Sequence, residues 1–341
     1  MIRFSEVFTF EHLYECANAA CSGVRWKCST QMFEANMLSW VANLKAQLEA
    51  GTYRSKGFNR FTICERGKMR RIQSIHISER TVQKCLVRYC LRPLIIPKLI
   101  PDNCATLPGK GTEYALSRLK EHLRWWYARH GRDGCVLTMD YHNYFASIDH
   151  GILKADLKSL DMDDRLFELA AYFIDCFDGD FGLGLGSEIS QVCAVYYASR
   201  IDHLAKDRLG FHCYGRYMDD SYLIGGRDDV SEALYLIRME SDALGLELNE
   251  QATLIRPLTH GFHYLKKRVM LTESGRVVMR LERDNICRER KRIIRNGQMV
   301  ADGLMTRESA DQSFESWCAY ASRYDAHDTA MGMVRLKSAV L

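Results

Sequence analysis

Three aspartates are the residues best placed to do chemistry. Asp140 ends the apolar run Cys135-Val136-Leu137-Thr138-Met139, and Asp219-Asp220 lies between two short runs at 214–217 and 221–224. Adjacent carboxylates repel, so holding a pair of them at a hairpin tip gives no stability by itself. A divalent cation reverses that balance, and oxygen ligands without histidine or cysteine suit Mg²⁺. If the run ending at Asp140 lies beside the hairpin, the three carboxylates converge. Two ions about 3.5–4 Å apart would then stabilise the attacking and leaving oxygens of a phosphoryl transfer. The dipeptide alone reads more readily as an ordinary turn, where aspartate is common; its surroundings decide.

The elements that must position these residues follow from spacing. Phe33, Met37, Val41, Leu44 and Leu48 share one helical face over residues 30–50, and Gly51 follows as a stop. Residues 53–77 alternate apolar and polar with many basic residues, as in a β-ribbon with a basic turn. Residues 82–91 return to helical spacing, and Pro93, Pro97, Pro101 and Pro108 predict an irregular stretch after them. An amphipathic helix is expected over 113–128, a buried strand over 135–139 and a largely helical stretch over 153–177. A glycine-rich loop at 181–186 and a helix over 189–209 come next. Asp229-x-x-Glu232 resembles a capping box opening a helix that runs to Gly245. A β-like piece covers 263–280, and the remainder is basic and helical. The order implies an α+β fold.

The chain has 341 residues, of which 47 % are hydrophobic and 26 % charged, enough apolar material for a sizeable core. No apolar run approaches the roughly 18–20 residues of a membrane span, and Met1-Ile2-Arg3-Phe4-Ser5-Glu6 does not open a secretory signal. A cytoplasmic protein with no membrane partner is therefore expected. The 13 cysteines contain no Cys-x-x-Cys pair, and they read as reduced thiols that fill the core. Net charge is only +4, but residues 54–71 hold seven basic residues against Glu65, and residues 283–295 hold six against Asp284 and Glu289. Two basic clusters so far apart suit a polyanion as well as they suit two solvated surfaces.

The local sequences go further. Tyr217-Met218-Asp219-Asp220, with Tyr214 before it and Tyr222-Leu223-Ile224 after it, resembles the hallmark hairpin of reverse transcriptases. Thr138-Met139-Asp140-Tyr141-His142-Asn143-Tyr144-Phe145-Ala146-Ser147-Ile148-Asp149-His150 resembles the other metal-binding motif of the bacterial enzymes of that family. Lys68-x-Arg70-x-Ile72, Gly109-Lys110-Gly111-Thr112, Gly245-Leu246-Glu247-Leu248-Asn249 and the stretch from Ser316-Trp317 to His327 are similar to further family segments. The resemblance implies a right-hand polymerase, with an N-terminal helical segment at 1–50, fingers at 51–112, a palm at 113–270 that includes part of the fingers, and a helical thumb at 271–341. It implies an RNA template, a cDNA or primer strand, dNTPs, and two Mg²⁺ ions that Mn²⁺ can replace. Asp140 and Asp219 would bind both ions, with Asp220 assisting as the third catalytic carboxylate. Lys68 and Arg70 would neutralise the triphosphate. Tyr141, Phe145, Leu185 and Gly186 would meet the incoming nucleotide, with Phe145 as the gate against a 2′-hydroxyl. Ser190, Gln191, Tyr217, Met218, Lys266, Arg288, Arg290, Lys291 and Arg292 would contact template or primer.

The loop Leu185-Gly186-Ser187-Glu188-Ile189-Ser190-Gln191 departs from the common Gln-Gly-x-x-x-Ser-Pro pattern at both ends. That pair of changes resembles the reverse transcriptases of diversity-generating retroelements, bacterial or phage-encoded, which copy with errors opposite template adenines. Gln can hydrogen-bond near the nascent pair whereas Leu can only pack, a loss of about 1–3 kcal/mol of discrimination. The same resemblance implies a small, helical, basic accessory protein as partner. A phage-defence or retron-type reverse transcriptase would share the palm, and a near-identical repeat pair differing at adenines in the neighbouring DNA would tell them apart. Two readings from other classes are a nucleic-acid-binding scaffold without activity and a dinucleotide site at Gly182-x-Gly184-x-Gly186. The first conflicts with the intact aspartates, and the second needs a strand before the loop.

Overall fold

The computed structural model describes residues 1–65 and 67–340, with the side chains of Glu65, Lys68 and Arg70 outside that description. The fold is α+β, and its sheets are antiparallel. Strands β1 (Phe58–Glu65) and β2 (Lys68–Ile75) form a hairpin in register Phe58↔Ile75 to Glu65↔Lys68. The central sheet holds β3 (Cys135–Met139), β4 (Tyr214–Tyr217), β5 (Asp220–Gly225) and β6 (Leu254–Pro257), in the order β4-β5-β3-β6. A meander of β7 (Phe262–Tyr264), β8 (Lys267–Leu271) and β9 (Val277–Leu281) follows.

The central sheet is apolar on both faces because helices cover both. Side chains alternate across it: Leu137, Met139, Leu223 and Tyr214 point into a large core shared with Val82, Leu86, Phe173 and Ile237. Val136, Tyr222 and Ile224 point the other way, into a second core with Leu119 and Leu123 of the Thr112–His130 helix and Phe262, Val269 and Met279 of the meander. A third core gathers Leu281, Ile293, Phe314, Trp317 and Met333 from β9 and the helices Arg283–Ala301, Arg307–Ala321 and His327–Val340. Polar ties join this third core to the meander and to the Thr112–His130 helix. The Lys267 ammonium is buried, donates to the Tyr320 hydroxyl at 2.6 Å and lies over the Tyr324 ring at 4.4 Å. Tyr324 Oη donates to Glu113 Oε1 at 2.6 Å, and the Met279 amide donates to Asp325 Oδ2 at 2.9 Å.

Several sequence expectations are refined. The helix expected over 30–50 is two, Cys28–Ala35 and Met37–Glu49, broken at Asn36, whose side chain donates to the Met32 carbonyl. The stretch 153–177 is likewise two helices, His150–Lys158 and Asp164–Asp175. The turn between them is pinned by the Asp163 amide on the Ile2 carbonyl at 2.9 Å. Pro93 and Pro97 do not open an irregular stretch. Both lie in helical backbone, where the π turn Val87–Leu91 runs directly into the helix Arg92–Ile95 and the 3₁₀ turn Ile96–Lys98. The expected capping box is displaced: the helix is Arg227–Ala243 with Gly226 as N-cap, and Asp228 and Asp229 sit in the first turn where the helix dipole favours them. The strand β6 was not anticipated. All 13 cysteines are free thiols, and eight of them are buried. Among the described residues no helix is long and apolar enough to cross a membrane.

Candidate active site

The β4–β5 hairpin closes with Tyr217 opposite Asp220, leaving Met218 and Asp219 as a two-residue turn. Met218 has φ +60°, a conformation most side chains avoid. Arg216 holds it there: its Nη1 donates to the Met218 carbonyl at 2.9 Å. The same guanidinium forks onto Asp202, Nε to Oδ1 and Nη2 to Oδ2, both at 2.7 Å, and Nη2 also reaches the Val195 carbonyl at 2.8 Å. Asp202 accepts further from Tyr214 Oη at 2.8 Å and Asn103 Nδ2 at 3.3 Å. Arg216 and Asp202 are both fully buried, so this ion pair survives only because its hydrogen bonds are so nearly complete. It sets the turn from inside the protein.

Asp140 follows the last residue of β3, and Met139 pairs with Ser221 of β5, so Asp140 comes out beside the start of β5 at Asp220. The segment after it is fixed by a second connection. Asn249 donates its amide to the Asp140 carbonyl at 2.8 Å and its Nδ2 to Asp140 Oδ2 at 3.3 Å, and the His142 amide donates to the Glu247 carbonyl at 2.8 Å. Burial, then the charges of Asp219 and Asp140, push the Asp220 carboxyl up to about 7, with Lys266 opposing. The three carboxylates therefore share one electrostatic neighbourhood at one end of the sheet.

An open cleft of about 850 Å³ runs past them, lined by Asp140, Asp219, Phe145, Leu185, Gln73 and Asn249 among others. A second opening of about 330 Å³ is bordered by Asp140, Asp220, Lys266, His263 and Glu282, so Asp140 stands between the two. Phe145 is half-buried on the cleft wall, and its carbonyl accepts from the Leu183 amide at 2.8 Å. The glycine-rich loop thus hangs from the Phe145 turn on one side. On the other, the Leu185 carbonyl accepts from the Gln73 amide of β2 at 3.3 Å. Gly184 is required here, because a Cβ would collide with Gln73 Oε1 and with the Phe177 ring. The loop lies between the helices Asp164–Asp175 and Glu188–Tyr197 and follows no strand, which removes the dinucleotide reading.

The remaining expected site residues divide. Leu185 lines the cleft, and Gly186 is exposed beside the Gln73 backbone with φ +109°. Tyr141 also borders the cleft, but its ring is buried and its hydroxyl meets Ser241 Oγ at 3.1 Å, so the phenol belongs to the core. Tyr217 and Met218 are half-buried at the hairpin. Ser190 is buried with a hydroxyl that has no hydrogen-bond partner among the described residues, whereas Gln191 is exposed. Lys266 is exposed at the tip of the β7–β8 turn, where Leu265 (φ +46°) and Lys266 (φ +60°) are both left-handed. On the Arg283–Ala301 helix, Arg288, Arg290 and Lys291 are exposed. Arg292 is instead drawn inward to Glu289 Oε2 at 2.7 Å and the Ser313 carbonyl at 3.1 Å. The expected roles of Lys68 and Arg70 rest on side chains outside the described residues.

Sequence reasoning missed Arg216, Asp202, Asn249 and Gln73. Arg216 carried a signal, a charge inside an otherwise apolar strand two residues before the hairpin turn, and Asn249 closes one of the family-like segments although no role was given to it; Asp202 and Gln73 carried none. Among the described residues no three carboxylate, imidazole or thiol groups form a ready-made metal cage. The donor chemistry nonetheless fits a hard divalent cation. It consists of carboxylates alone, with the Asn249 amide beside them, and burial together with the neighbouring carboxylates pushes Asp220 toward its neutral form. No protein-family model matches the chain, and no curated protein matches its sequence.

Proposed function

We propose that the protein is an RNA-directed DNA polymerase that extends a primer 3′-hydroxyl with dNTPs on an RNA template, of the error-prone diversity-generating type. The observation that supports this most is the meeting of Asp140, Asp219 and Asp220 at one end of an antiparallel sheet, at the edge of a cleft walled by Phe145 and Leu185. In this reading the β4-β5-β3-β6 sheet is the palm, the β1–β2 hairpin belongs to the fingers, and the helices of 283–340 are the thumb. Asp140 and Asp219 would hold two Mg²⁺ ions, with Asp220 beside them; such ions lower the barrier by stabilising the attacking and leaving oxygens of an in-line displacement. The protein's own contribution is positional. Arg216 fixes the turn that carries Asp219, and Asn249 orients Asp140. In this reading the Phe145 ring on the cleft wall would meet the sugar, and Leu185 would offer the nascent pair an apolar surface with no directional hydrogen bond.

The test is primer extension on a defined RNA with Mg²⁺ and dNTPs. The wild type should make cDNA, and Asp219→Ala should lower the rate by about 10³-fold or more. Absence of incorporation, or an Asp219→Ala variant as active as wild type, would overturn the polymerase reading. Sequencing that cDNA tests the subtype, since errors should concentrate opposite template adenine; a uniform error spectrum would remove it.

A further inference from the structure

Leu185 has no polar atom to fix its side chain in the cleft, so its place is set by whatever anchors its loop. The front of the loop is tied mainly through backbone, the Gly182 amide to the Ile148 carbonyl and the Leu183 amide to the Phe145 carbonyl, both at 2.8 Å, with His150 Nε2 also 2.8 Å from the Gly182 carbonyl. The back is tied by side chains. Ser187 is buried, and its Oγ donates to Gln83 Oε1 at 2.7 Å. Glu188, the first residue of the Glu188–Tyr197 helix, receives a separate cation on each oxygen. Lys84 Nζ lies 2.7 Å from Oε2, and Arg92 Nη2 lies 3.0 Å from Oε1. The three side chains are largely removed from solvent, 24 %, 25 % and 19 % exposed for Lys84, Arg92 and Glu188, so the attraction is screened far less than a surface pair.

The backbone is shaped to deliver both cations. Lys84 ends its turn on the Ile77–Leu86 helix, and a π-helical turn, Val87–Leu91, separates it from Arg92. In an α-helix, residues seven apart nearly align, about 20° off, whereas residues eight apart diverge by about 80°. A π turn takes up one extra residue, so eight residues span what seven otherwise would. Arg92 thereby comes round beside Lys84, and both face Glu188.

We infer that Glu188, clamped between Lys84 and Arg92, is a positioning residue that holds the 183–186 loop against β2 and so sets how strictly the cleft discriminates between nucleotides. The inference rests on the polymerase reading for its consequence, but not for its structural part. Two measurements separate them. Hydrogen exchange needs no activity: in Glu188→Gln and Lys84→Met the Leu183 amide and the Gln73 amide, which donates to the Leu185 carbonyl, should exchange about tenfold faster or more than wild type, while those of β3 are unchanged. Unchanged loop exchange would overturn the inference whether or not the protein makes cDNA. Where cDNA is made, the KM for the correct dNTP should rise about tenfold with kcat within about twofold, and the ratio of correct to incorrect incorporation should change by at least about threefold. Lys84→Arg, which keeps the charge, should restore wild-type values. Faster loop exchange with KM and error ratio unmoved would show a purely structural clamp and sink the link to discrimination. A wild type that makes no cDNA would instead refute the polymerase reading and leave the exchange result to decide the clamp.

Discussion

At the scale of single residues, the cleft wall is written in two side chains that do opposite things. Phe145 presents a rigid ring whose turn is locked to Leu183 through the backbone, whereas Leu185 presents an adaptable apolar branch. In the polymerase reading the ring excludes a 2′-hydroxyl by volume, so Phe145→Ala should admit ribonucleotides. The preference for dNTP over rNTP should fall by at least about tenfold in single-nucleotide extension, with dATP incorporation on the same template as the internal control. An unchanged preference would mean that the ring only packs, as its edge-on contact with Tyr144 at 5.9 Å would also allow. The convergence of the three aspartates was legible through their surroundings, the apolar run before Asp140 and the two short runs flanking Asp219-Asp220, since the dipeptide alone reads as an ordinary turn. Ser190 and Arg292 were not rightly legible. Helical phase turns Ser190 inward, and Glu289, one turn before Arg292, claims a guanidinium that composition assigns to solvent.

At the scale of elements, the decisive one is the β4–β5 hairpin. Its strands were legible from alternation, but the residue that sets its turn was not understood, because the partner, Asp202, is 14 residues away on the Ser199–His203 helix. Helix breaks at Asn36 and at 159–163 were illegible for the same kind of reason: a side chain and the distant N-terminal Ile2 compete for backbone groups that local periodicity assigns to the helix. The Arg216–Asp202 pair gives a sharp expectation. Arg216→Met should lower stability by about 3–5 kcal/mol in denaturant unfolding, because it strands a buried carboxylate. Combining it with Asp202→Leu should cost less than the single change, since no unpaired charge then remains. A double variant less stable than Arg216→Met would place the main contribution in the bonds from Tyr214 and Asn103 instead.

At the scale of the whole molecule, charge is distributed by element. The acidic centre lies at the end of the central sheet, and the Arg283–Ala301 helix turns Arg288 and Lys291 outward, three residues apart on one face. In the polymerase reading that face meets duplex phosphates. The double change Arg288→Ala with Lys291→Ala should then weaken RNA–DNA duplex binding and flatten the log–log salt dependence by about 1.8 units, close to 0.9 for each phosphate no longer neutralised. Equal slopes would place the duplex elsewhere. The third core bears on how that helix can act. Its described polar ties include Lys267 to Tyr320 and Asp325 to the Met279 amide on the meander, and Tyr324 to Glu113 on the Thr112–His130 helix, while Leu281 of β9 is part of the third core itself. Polar ties of that kind exchange their partners for water, whereas Leu281 keeps the helices fastened to β9. In the polymerase reading the C-terminal helices would pivot about β9, and such a pivot would let a single grip loosen and re-form around a duplex advancing one base pair at a time.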